Sequence, residues 1–152
     1  MESVHDPVLD RDEETSGLAV SAPKGKPLLF LRSDGGAFTP GPVSPVLMET
    51  ELLTPGDLFT LGEGEYLKVE GDSLYYYSDS SFQKICRVYE NLYGEGASVF
   101  WAGDLDGDGL TDLIVNDCAH YNIFINYRVF LSTAASSGEL LGEVAYFTAI
   151  GC

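Results

Sequence analysis

The strictest alternation of apolar and polar positions in this chain is Tyr66-Leu67-Lys68-Val69-Glu70, with Leu67 and Val69 on one side. A period of two is the pattern of a half-buried strand. Gly71-Asp72 follows as a two-residue turn suited to a primed type, and Leu74-Tyr75-Tyr76-Tyr77 leaves in the opposite direction, which predicts a hairpin. The longest alternation starts at Tyr121. Ile123, Ile125, Tyr127, Val129 and Leu131 share one face, and Phe124, Asn126, Arg128 and Phe130 the other, as in a central strand. Shorter extended runs are expected at 18–20, 28–31, 46–53, 58–61, 99–102 and 113–115. Residues 82–89 fit a helical stripe or a strand, and their surroundings favour the strand. Gly142 and the β-branched and aromatic residues weigh against a helix over 139–149, so a last strand is expected at 140–150. Three glycines and three prolines among residues 34–45 exclude a regular element there. The expected fold is all-β or nearly so: a compact antiparallel β-sandwich or barrel-like domain over residues 18–152, behind a flexible acidic lead-in at 1–17.

A chain of 152 residues is long enough to bury a core. Its charge changes the picture more than its size. The 24 acidic residues outnumber the 8 lysines and arginines, for a formal charge of −16. Phosphate backbones need clustered cations, so nucleic acid is not expected as a partner. Anionic membrane surfaces are disfavoured for the same reason, and no apolar run is long enough for a membrane-spanning helix. The first residues, Met1-Glu2-Ser3-Val4-His5-Asp6-Pro7, lack the basic-then-apolar plan of a signal peptide. Cys86, Cys118 and Cys152 form no CxxC pair, so zinc is unsupported. They permit one disulfide plus a free thiol, in any of three pairings, or three free thiols.

Asp104-Leu105-Asp106-Gly107-Asp108-Gly109-Leu110-Thr111-Asp112 carries the chemistry. Two carboxylates roughly 4 Å apart repel by about 4 kcal/mol at an effective dielectric near 20. A hard divalent cation reverses that sign, and calcium accepts six to eight oxygens in a flexible shell. Counted as an EF-hand loop, Asp104, Asp106 and Asp108 fill positions 1, 3 and 5, and Gly109 fills position 6. Leu110 offers its carbonyl at 7 and Asp112 its carboxylate at 9. Position 12 is Val115, which has no oxygen on its side chain, and the flanks are strand-like. The EF-hand is therefore refused, and a nine-residue loop between two strands remains. The expected metal ligands are Asp104, Asp106, Asp108, Leu110 and Asp112, with Ca2+ favoured over the stricter octahedral demands of magnesium.

Residues 100–115, with this loop at their centre, resemble the calcium-loop segment of FG-GAP or VCBS-type repeats. In that family the loop joins two strands of an integrin-like β-propeller blade. The resemblance implies calcium on the same five residues and covers about one tenth of the chain. No second copy of the loop occurs, so a complete propeller is not expected. The tail, from residues 127–132 through 138–140 to Gly151-Cys152, also resembles small uncharacterised bacterial proteins with one such loop, and implies no activity.

These readings lead to a non-catalytic, calcium-binding β-domain outside the cytoplasm, as a mature chain without its leader. There, millimolar calcium and disulfide formation are both available. A surface protein or glycan would be its partner. One alternative is a carbohydrate or protein recognition module built on the tyrosines of residues 74–77. The other is a hydrolase using Asp117 and His120, with Asn122 nearby. No nucleophile elbow, phosphate loop or dinucleotide fingerprint supports an enzyme.

Overall fold

Alternation at 65–78 becomes the central pair of strands in a four-stranded antiparallel meander. In the computed structural model, which describes residues 2–4, 11, 15, 17–19, 43–88, 96–117 and 125–149, this sheet follows chain order. Its strands are β4 (Leu58–Gly62), β5 (Glu65–Glu70), β6 (Ser73–Ser78) and β7 (Ser81–Arg87). A five-stranded antiparallel sheet holds β3 (Pro45–Met48), β8 (Ser98–Gly103), β9 (Asp112–Asn116), β10 (Ile125–Leu131) and β11 (Gly142–Ala149), in the order β11-β10-β9-β8-β3. The chain is nearly all β, with two main antiparallel sheets and no closed barrel among the described residues. Of the two architectures expected, the sandwich fits. Residues 139–149 form strand, not helix, from Gly142 onward.

The chain groups into two units, Met1–Gly35 and Gly36–Cys152. Within the first, β1 (Glu2–Val4) pairs antiparallel with β2 (Gly17–Ala19). The strand expected at 28–31 lies outside the described residues. Everything that follows belongs to the second unit.

Inward-facing residues of both sheets form one core. Leu67, Val69, Leu74, Tyr76, Ile85 and Cys86 come from the meander, and Val99, Ala102, Leu113, Val115 and Phe130 from the larger sheet. Two bulges set these faces. Val99 pairs with Val115 and Trp101 with Ile114, leaving Phe100 as the extra residue. That one-residue slip turns Ala102 toward the core and Trp101 to the opposite face, beside buried Ile114 and Val129. On β7, Ile85 is the extra residue between the partners of Leu74 and Tyr75, so Ile85 and Cys86 are both buried. Gln83 ties the sheets together: its amide nitrogen donates to the Leu141 carbonyl at 2.8 Å. Its oxygen accepts from the Leu140 and Leu141 amides at 2.6 and 2.9 Å.

The outer face of the meander carries a ladder of rings. Tyr66 stacks on Tyr77 at 4.5 Å between centroids, and Phe82 contacts both Tyr75 and Tyr77. Tyr76 points the other way and is buried. The three consecutive tyrosines therefore divide between core and surface, as strand alternation requires.

Candidate metal centre

Strand β8 ends at Gly103, which pairs with Asp112 at the start of β9, so the aspartate segment is the connection of one hairpin. Two glycines let the chain turn: Gly107 and Gly109 have φ of +89° and +86°, a region costly for side chains with a Cβ. Asp104 caps the turn, its two oxygens accepting from the amides of Gly107 at 2.7 Å and Gly109 at 2.9 Å. Asp108 accepts from the Leu110 amide at 2.8 Å. These local bonds fold the loop back on itself and bring carboxylate oxygens of Asp104, Asp106 and Asp108 within 4.8 Å of one another. Three hard oxygen donors at that separation could hold a metal ion. The hydrogen bonds do not exhaust them, because each carboxylate oxygen has two lone pairs.

Asp112 plays a different part in the geometry. It is fully buried, and Oδ2 accepts from the amides of Leu105 at 2.7 Å and Asp106 at 3.3 Å. Its Oδ1 accepts from the Ser132 amide at 2.9 Å. Burial pushes its carboxyl above the ordinary carboxylate value, the Ser132 and Leu105 amides pull it back, and the neighbouring charge of Asp106 adds to the rise. Asp112 thus anchors both ends of the loop, whereas the Leu110 side chain lies exposed at its tip.

Two further residues, not singled out as ligands from the sequence, hold the loop in place. The 3-10 turn Ser132–Ala134 directly after β10 presents its hydroxyls to the aspartates. Ser132 Oγ donates to Asp108 at 2.6 Å, and Thr133 Oγ1 donates to Asp106 at 2.5 Å. From the other sheet, Glu65 accepts from the Thr111 hydroxyl at 2.6 Å. The Tyr76 hydroxyl shares this brace, and burial with the adjacent Glu65 charge pushes it up to about 12. The loop is therefore held from two sides of the fold, by the turn after β10 and by the meander.

Asp117 is engaged elsewhere. Its carboxylate accepts from Arg128 at 3.2 Å and from Asn126, and Arg128 also pairs with Glu143 while lying 5.3 Å from the Phe130 ring centroid. His120 and Asn122 lie outside the described residues, as do Cys118 and Cys152. Cys86 is a buried free thiol. No helix among the described residues is long and apolar enough to cross a membrane.

Comparisons with protein-family models, curated proteins and solved structures give no match for this chain.

Proposed function

We propose that this chain is a non-catalytic calcium-binding β-domain acting outside the cytoplasm. In this reading the ion staples the β8–β9 hairpin to the turn after β10. The observation that carries it is the convergence of Asp104, Asp106 and Asp108 on a loop already organised by its own amides and by Ser132 and Thr133. Such preorganisation lowers the ordering cost of binding. The resemblance of residues 100–115 to FG-GAP and VCBS-type loops supports calcium as the ion. The pairing of Asp117 with Arg128 and Asn126 supports a structural role for that acid over a hydrolytic one.

Bound calcium at a hundredfold excess over Kd adds about 2.7 kcal/mol. For a chain of this size that raises the melting temperature by about 5–10 °C. Thermal melts in calcium and in chelator test it, with Asp106→Ala as the control. The wild type is expected to show the shift and the variant to lose it. No shift in the wild type removes the proposal.

The outward ring ladder of Tyr66, Tyr75, Tyr77 and Phe82 favours a second reading, recognition of a surface protein or glycan. Tyr66 and Tyr77 cover one another's faces, so the exposed ring of Phe82 is the part most open to a partner.

A further inference from the structure

β3 is an edge strand of the larger sheet and β4 an edge strand of the meander, and the chain crosses from one to the other through residues 49–57. The crossing is irregular for a local reason. β3 stops at Met48, and Glu49 takes φ of +46°, in the left-handed region that is costly for a side chain with a Cβ. Pairing with β8 then resumes outside a regular strand. The Glu49 and Thr50 amides donate to the Phe100 and Val99 carbonyls at 3.0 and 2.9 Å, and Thr50 Oγ1 accepts from the Val99 amide at 2.9 Å. Asp57 closes the turn into β4, its Oδ2 accepting from the Thr54 amide at 2.7 Å.

A cavity of about 420 Å³ opens along this crossing, within the roughly 300–1,000 Å³ of small-molecule sites. Leu47 and Phe59 line it and pack against the core, and Leu52, 44% exposed, lines it as well. Its charged lining residues are all acids: Glu49, Glu51 and Asp57, with no lysine, arginine or histidine among the described residues around it. None of the three is in an ion pair among the described residues, whereas Glu70, Asp72, Asp117 and Glu143 each meet a lysine or arginine. The cavity therefore joins apolar wall to carboxylates whose charge is not met. An apolar wall favours a ligand with an apolar body, and the acids favour a cation and repel an anion. A hydrated metal ion would gain nothing from Leu47, Leu52 and Phe59, and an uncharged apolar solute nothing from the acids.

We propose that this cavity binds a small organic ammonium ion, its apolar chain against Leu47, Leu52 and Phe59 and its charged head met by Glu49, Glu51 and Asp57. The site shares no residue with the aspartate loop and does not depend on calcium. The formal charge of −16 raises the local concentration of such cations, and added salt weakens their binding. A lysine side chain of a partner protein carries the same charge, but its stem ends on a polar backbone that the apolar wall does not favour. A free amine is therefore the occupant, and the test separates the two.

Amide NMR shifts during titration with n-hexylammonium chloride at low salt test it. Saturating shifts are expected at residues 47–59, with smaller ones at Gly107 and Gly109 of the aspartate loop. From methyl- through butyl- to hexylammonium the affinity should rise by up to about fourfold per methylene buried. Hexanol and hexanoate, of matching length without the positive charge, should bind more weakly. Glu49→Gln with Glu51→Gln changes two exposed side chains and should weaken hexylammonium by about three- to tenfold. Leu52→Ser should shrink the gain per methylene. Nα-acetyl-lysine amide should bind more weakly than hexylammonium. Four results would each overturn the proposal: no saturable shift at 47–59, hexanol or hexanoate binding as tightly, affinity indifferent to chain length, or affinity unchanged in the double variant. Tighter binding of the lysine amide would replace the free amine by a protein partner and overturn it too.

Discussion

Asp112 is the residue on which the loop's chemistry turns. Its carboxylate gathers three backbone amides, from Leu105, Asp106 and Ser132, while burial raises its proton affinity. A carboxyl whose folded pKa exceeds its unfolded value, about 3.9, binds protons more tightly in the native state. Its contribution to stability is then full below the unfolded value and is lost as pH rises through the raised one. The share of stability that Asp112 contributes to the metal-free protein should therefore grow on acidification through that window, and the difference between wild type and Asp112→Asn should change with pH accordingly, as read by urea melts against pH in chelator. Calcium bound as proposed would act in the opposite direction, because protons compete with it for the oxygens of Asp104, Asp106 and Asp108. Cys86 gives a second test at this scale. Burial pushes its thiol up to about 12, and thiolate is the reactive form. With Cys118→Ser and Cys152→Ser, a thiol reagent should label Cys86 only as fast as the core opens, and addition of denaturant should release it. Rapid labelling of the folded chain would contradict the burial.

At the scale of elements, the hairpin of residues 65–78 was legible because strict alternation fits a strand and little else, and the strands flanking the aspartates because short apolar runs on either side of a polar, glycine-rich segment fit buried strands. Residues 82–89 were ambiguous for a physical reason: the bulge at Ile85 buries two adjacent residues and imitates a helical stripe. The first three aspartates were legible as a cluster, since their spacing is local. Ser132 and Thr133 were not, because a hydroxyl more than twenty positions away reaches the loop only through the pairing of β9 with β10. That dependence predicts a remote effect. Gly142 lets the Ala134 carbonyl approach closely, and the turn so placed presents both hydroxyls to the loop. Gly142→Ala should cost about 1–3 kcal/mol through overpacking and should also weaken calcium binding, seen as a smaller calcium-induced melting shift. An undiminished shift in the destabilised variant would show that the turn does not position the loop.

Across the second unit of the chain, one core joins two sheets, and the aspartate loop is tied to both. Glu65 and Tyr76 reach it from the meander, and Ser132 and Thr133 from the larger sheet. An ion on this loop would therefore stabilise the sandwich and not the hairpin alone. A gain of about 2.7 kcal/mol is a large share of the roughly 5–15 kcal/mol that holds a domain together. The acidity of the chain acts in the same direction, since −16 of formal charge raises the local concentration of cations.

Titration calorimetry of calcium into chelator-treated protein tests the central claim most directly. One ion should bind per chain, and Asp106→Ala should abolish the binding while leaving the β-sheet spectrum intact. Absence of heat in the wild type, confirmed by equilibrium dialysis, or unchanged binding in the variant, would contradict it.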